Sequence, residues 1–365
     1  MTVRRAESAR GGSLFSGARE LNVPWQSSSI NAVARMLAGM SGGGGRDALG
    51  ALRESSAWPW HQQQMDALWR QHEAGRGQRV RAWAAREIGD LQRHRALFYP
   101  FSGPDYLFAQ ELFPHSETYI LCGLEPAEPL PDLARMSAGE VAAGLQGLRT
   151  SLSSIMNAGY FITKDMRQDL QSTRFRGTLP VLLAFLARSG AVVDSVDIVR
   201  LDGTGAPVLS GAAGGTAPGL MIRYRHGLGG LKRLFYFRQD LANGSMRAGS
   251  PLLNFVARQG APPVLLKSAS YLMHDGRFSV IKNFILRNSA GIVQDPSGVP
   301  WRDLAASGLD LRLYGDYQGT LGIFSQQPDL RAAYQSGRWP AQPVDFGFGY
   351  LFRPSNTSII VARRR

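Results

Sequence analysis

Lys267 is one of only four lysines among 41 basic residues. It follows the apolar run Val264-Leu-Leu266 and precedes Ser268-Ala-Ser-Tyr271. A lysine leaving a buried strand is a compact charge whose pKa responds to its surroundings. Beside carboxylates it serves as a tuned base or an anion anchor, or it closes a salt bridge, here to Asp105 or Asp295. Other polar groups stand at the same kind of place: Ser102 and Asp105 after Ala96–Phe101, Glu125 after Tyr119–Leu124, and Asp295 with Ser297 after Gly291–Gln294. His274, three residues beyond Tyr271, sits where a general base would reach a substrate, and a surface loop histidine is the competing reading. These residues divide by chemistry. Lys267, Asp295 and His274 are the catalytic candidates. Ser102, Gly103, Asp105 and Glu125 are the cofactor-binding candidates, because a turn opening a helix is an anion site and a carboxylate stands at the neighbouring strand end. Structural readings compete: Ser102 as a helix cap, Asp105 in the first turn against the helix dipole, and Asp-Pro-Ser-Gly at 295–298 as a turn.

Such groups meet only if the strands before them run parallel. In an open parallel sheet the carboxyl ends share one edge, where ligands bind. The chain reads that way from Ala96 onward. Ala96–Phe101 is expected as a strand, Ser102-Gly-Pro-Asp105 as a turn and helix start with Pro104 at the first helical position, Tyr106–Phe113 as a helix and Tyr119–Leu124 as the second strand. Ser137-Ala-Gly-Glu140 is a capping-box pattern opening a helix to Gly159, and Thr178–Arg188 is a further apolar helix. Residues 191–238 read as two hairpins, Val192–Leu201 with Pro207–Leu209 and Leu220–Arg225 with Arg233–Phe237, forming an antiparallel meander. If the strand ending at Phe237 is also parallel to the core, Asp240 joins the candidate edge. Pro251–Gln259 and Phe278–Asn288 are expected as helices, Val264–Lys267 and Gly291–Gln294 as strands, and Phe346–Arg353 with Ser358–Arg363 as a closing hairpin. Upstream, Ser29–Met40 is a short amphipathic helix, and Trp60–His94 a long one that Gly75 and Gly77 interrupt. The expected fold is a three-layer α/β sandwich with a mostly parallel Rossmann-like sheet, an antiparallel insertion over 191–238 and a C-terminal hairpin. The expected organisation is a disordered tail over 1–24, a helical N-terminal region over 25–95 and a Rossmann-like α/β domain over 96–365.

Composition narrows the function classes. The net charge is +13 but unevenly spread: residues 96–150 hold seven acids and two bases, and the segments before and after them are basic. A basic surface attracts anionic partners. No zinc-finger pattern, RNP-like motif or long basic helix is present, which argues against nucleic acid. Cys122 is the only cysteine, so disulfides and cysteine-based zinc sites within one chain are excluded. His61, His72, His94, His115 and His226 lack metal-ligand spacing, so no metal is expected. No Gly-x-Ser-x-Gly elbow or Walker loop appears. The longest apolar stretch, Leu179–Ala187, is too short for a membrane span. No apolar segment follows the basic first residues, so no signal peptide is expected and the cytoplasm is the default compartment. A basic N-terminal region on anionic lipid gives an envelope-associated alternative.

The first strand, its turn, Glu125 and the closing hairpin together resemble the class I methyltransferase arrangement over about residues 96–365. Glu125 lies 23 residues after Ser102, close to the roughly 20-residue spacing of a ribose-binding carboxylate. That resemblance implies adenosylmethionine as cofactor, cradled by the turn at Ser102 and Gly103 and held through its ribose by Glu125. This turn has one glycine, with Pro104 behind it, where the family has two or three. The segments 98–105, Lys267–Tyr271 and Gln294–Gly298 are also similar to those of an uncharacterised bacterial protein family. The expected function is small-molecule binding at the strand ends with methyltransferase-like group transfer. The alternative is a non-catalytic binding or scaffold protein that has lost the glycine-rich loop.

Overall fold

The structure is a computed structural model describing residues 29–41, 49–55, 57–158, 175–210, 218–227 and 229–365. The tail expected over 1–24 and most of the glycine run at 41–45 lie outside them. Ten strands form one mixed sheet in the order β4-β3-β5-β6-β2-β1-β7-β8-β10-β9. Its centre is parallel: β6 (Lys232–Arg238), β2 (Thr118–Gly123), β1 (Ala96–Tyr99), β7 (Val264–Leu266) and β8 (Gly291–Gln294). The register sets Phe98 beside Ile120 and Val264, and Ile120 beside Phe235. Antiparallel strands extend both sides. β3 (Ala191–Leu201), β4 (Pro207–Leu209) and β5 (Pro218–His226) lie beyond β6, and β10 (Ser358–Arg363) pairs with both β8 and β9 (Asp310–Gly315).

The central strands are mostly apolar because both faces are covered. Alternation along each strand assigns the layers. Leu97, Tyr99, Tyr119 and Leu121 enter one core with α1 (Ile30–Leu37), α3 (Ala57–His72), α4 (Gln78–Glu87), α5 (Tyr106–Leu112), α6 (Ala138–Ala158) and α7 (Leu179–Arg188). The short α2 (Gly50–Arg53) precedes α3. Phe98, Ile120 and Cys122 enter the other core with α8 (Pro251–Ala257), α9 (Ser279–Asn288), α10 (Trp301–Ala306) and α11 (Pro328–Gln335).

Local chemistry fixes the element ends. Glu140 N–H donates to Ser137 Oγ, and Ser137 N–H donates to Glu140 Oε2, so the capping box opens α6. α5 begins differently from expectation. Asp105 caps it, its Oδ1 accepting from Phe108 N–H at 3.2 Å, and Pro104 lies before the cap. Between α3 and α4 the backbone widens into a π-turn over Glu73–Gly77. A Cβ at Gly77 would come within 2.7 Å of Glu111 Oε1, so the glycine lets α5's buried carboxylate approach His72 Nε2 at 2.7 Å. The closing antiparallel pair also differs from expectation: β10 pairs with Asp310–Gly315, whereas residues 346–353 form no strand. The amides of Phe348 and Tyr350 go to Thr357 Oγ1 and Asp295 Oδ2 instead of a ladder. No helix among the described residues is long and apolar enough to cross a membrane.

His61 joins the N-terminal helices to α6 through both ring nitrogens. Its Nε2–H donates to the Leu37 carbonyl at 3.1 Å, and its Nδ1 accepts from the Arg149 guanidinium at 3.0 Å. Burial, then the Arg149 charge, lowers its pKa from 6.5 to about 4. The unfolded chain therefore takes up this proton before the folded one. Stability is fully present above pH 6.5 and falls as pH drops from 6.5 through about 4, by roughly 3 kcal/mol from this residue. Denaturant midpoints measured across that window should fall with pH, and His61→Gln should flatten the slope.

Candidate functional site

The carboxyl ends of β6, β2, β1 and β7 open into a cleft of about 570 Å³. Ser102, Gly103, Asp105, Glu125, Lys267, Ser268 and Ser270 line it, and so does Asp240, because β6 runs parallel to β2. Asp295 and His274 do not line it.

Lys267 and Asp105 form the floor. Lys267 Nζ lies 2.8 Å from Asp105 Oδ2, with both side chains 2 % exposed. The Tyr99 hydroxyl donates to the same oxygen at 2.9 Å. Burial, then the Asp105 charge, holds the Tyr99 phenol well above its ordinary pKa, so it stays a donor. The ammonium also lies 4.2 Å from the centre of the Phe108 ring, a cation–π contact. This cluster joins three elements: Tyr99 on β1, the cap of α5 and the exit of β7.

Glu125 lies on the β2 side. It is 2 % exposed, and the Tyr236 hydroxyl of β6 donates between its backbone carbonyl at 2.9 Å and its Oε2 at 3.1 Å. Among the described residues neither Glu125 nor Asp240 is in an ion pair. Asp240 sits at the exposed rim, accepting from Ala242 N–H and Ser245 Oγ–H.

The turn after β1 is pinned. The amides of Ser102 and Gly103 both donate to the Cys122 carbonyl, at 2.9 and 3.1 Å. The Ser102 hydroxyl donates to Gly103 O and lies 3.2 Å from both Cys122 O and N. Pro104 has no N–H, and the Asp105 amide donates to Ser102 O. Backbone donors from Ser102 to Asp105 are thus engaged within the protein.

Asp295 is an organiser behind the cleft wall. Its Oδ1 accepts from Ser268 N–H, Ser297 N–H and the Ser297 hydroxyl, and its Oδ2 from Tyr350 N–H. Burial raises its pKa, and the Ser297 and backbone hydrogen bonds oppose that rise. His274 packs edge-on against Tyr271 at 5.3 Å, and burial, then the Arg302 charge, lowers its pKa to about 4. It is neutral at pH 7.

The far wall was not foreseen from sequence. Phe101, Phe278, Phe324 and Tyr350 line the cleft, with Leu321 and Ile323 at its mouth. Phe324 and Tyr350 come from irregular segments without periodicity. The signal available was the alternation Phe346-Gly-Phe-Gly-Tyr350: Gly349 has φ +72°, and a Cβ there would fall 2.0 Å from Asp295 Oδ2. No group of three or more His, Cys, Asp or Glu placed to hold a metal ion occurs among the described residues.

No family model matches this chain, and neither does any curated protein or solved structure. What stands is the architecture itself, a Rossmann-like α/β sandwich with a partly parallel core sheet and helices on both faces.

Proposed function

We propose that this Rossmann-like protein binds a small molecule of nucleoside type in the cleft at the strand ends, and that its activity is methyltransferase-like group transfer. One observation carries the ligand site. Of the five non-glycine residues with left-handed backbone among the described residues, four are Phe101 (φ 59°), Ser268 (54°), Ser270 (55°) and Tyr271 (54°). All four lie in the two loops that leave β1 and β7 at the cleft. Such conformations cost on the order of 1–3 kcal/mol each and cluster where a site demands a particular shape. Glu125 supports the nucleoside class: a carboxylate has about four acceptor positions, and the Tyr236 hydroxyl occupies one. Group transfer fits a cleft where positioning supplies the rate.

Adenosylmethionine, adenosylhomocysteine and nucleotides, each added in excess in a thermal-unfolding assay, test the reading. Adenosylhomocysteine should raise Tm by a few degrees, since a ligand at 100 times its Kd adds about 2.7 kcal/mol. Glu125→Gln should reduce that shift. No shift with any of the three removes the nucleoside part of the reading.

The engaged amides of Ser102 to Asp105 favour a second reading, a binding or scaffold protein without turnover. Isotope-labelled adenosylmethionine separates the two: consumption of the label supports transfer, and binding without consumption supports the scaffold.

A further inference from the structure

The two sides of the cleft differ in chemistry. Over β2 and β6 stand Glu125 and Asp240. Over β7 stand Lys267, ion-paired with Asp105, and Ser268 and Ser270, and beside them Phe324 and Tyr350 form an aromatic wall. Phe101 and Phe278 meet edge-on at 6.1 Å between ring centres, and Phe324 and Tyr350 lie 5.5 Å apart. The Tyr350 ring is set before any ligand arrives. Its amide is held by Asp295, and its hydroxyl lies 3.1 Å from Ser268 O and 2.7 Å from Ser270 Oγ. At the mouth, Ile323 is 85 % exposed and Leu124 52 %.

Charge restricts the ligand further. Lys267, the cation on the floor, is matched by Asp105 at 2.8 Å. Glu125 is buried and in no ion pair among the described residues, and Asp240 adds a second carboxylate at the rim. The cleft lining thus holds three carboxyl groups, Asp105, Glu125 and Asp240, against one lysine.

We infer that the aromatic half of the cleft takes a second molecule, flat and apolar, bearing a cationic amine and no acid group. It rests on reading the cleft as a ligand site and names the acceptor class for that site. The ring lies against Phe324 and Tyr350, and the amine points toward Glu125. An anionic isostere meets this excess of carboxyl groups and binds less well.

Two probes with one ring system test this on the full chain by calorimetric titration: 1-naphthylmethylamine, a cation, and 1-naphthoate, an anion. The amine should bind about tenfold or more tightly than the acid. Phe324→Ala, at a partly exposed position that leaves the core intact, should weaken the amine several-fold. Glu125→Gln should narrow the difference between the probes. Equal or tighter binding of naphthoate overturns the proposal, as does no binding of the amine. If the amine binds and adenosylhomocysteine does not, the nucleoside reading falls and this proposal stands. If adenosylhomocysteine binds and the amine does not, the reverse holds.

Discussion

The Asp105→Ala variant is expected to lose about 3–5 kcal/mol of stability, the cost of removing one partner of a buried ion pair. The loss comes from several groups at once. Lys267 Nζ, 2 % exposed, loses the counter-ion 2.8 Å away. The Tyr99 hydroxyl loses its acceptor, and the first turn of α5 loses its cap. Against a typical total of about 5–15 kcal/mol, this change separates a folded chain from a marginal one. Lys267→Met should cost less, because Asp105 keeps the Tyr99 hydroxyl and Phe108 N–H. The double variant Asp105→Ala/Lys267→Met contains no buried charge at this point, so it should be more stable than the sum of the single losses predicts. Chemical denaturation of all four proteins gives the coupling energy. Strict additivity would mean that the pair does not act as a unit.

The second large effect is expected at Asp295. Replacement by Ala leaves the amides of Ser268, Ser297 and Tyr350 without an acceptor in a site that is 2 % exposed. At about 1–3 kcal/mol for each donor left unsatisfied, the loss should approach 4 kcal/mol even after some relaxation. Asp295 does not line the cleft, yet Ser268 and Tyr350 do. The variant should therefore weaken naphthylmethylamine binding as well as stability. Asp295→Asn keeps one acceptor oxygen but turns an amide N–H₂ toward a backbone donor, so it should fall between wild type and Ala. If Asp295→Ala unfolds earlier in denaturant yet binds the probe unchanged at low denaturant, the positioning role fails.

The parallel core was legible because β1, β2, β7 and β8 are short apolar runs ending in turn residues, and their exits carry polar groups. Asp240 was harder. Residues 233–237 read fully as half of a hairpin with β5, and their parallel pairing with β2 joins segments more than a hundred residues apart. Local pattern reports the first partner and is silent on the second. The cap of α5 was placed at Ser102 because the motif reads Ser-Gly-Pro-Asp. In the fold Phe101 and Gly103 adopt positive φ, the turn folds back onto Cys122, and Asp105 is left to cap. β9 was missed, although Leu311 and Leu313 alternate around Arg312. The aromatic wall was illegible, because Phe324 and Tyr350 lie on loops whose course is set by distant anchors such as Asp295.

Cys122 anchors the turn through its carbonyl, but its side chain has a different consequence. It is the only thiol in the sequence, fully buried at the second-to-last residue of β2, and burial pushes its pKa up. A thiol reagent reaches it only through openings that expose the core between the sheet and the helices on that face, so its labelling rate scales with the population of those openings. Each 1.4 kcal/mol removed from the sheet should speed that labelling about tenfold. The chain thus carries one internal clock, read without any added probe, that separates breathing of the rim loops from parting of the core.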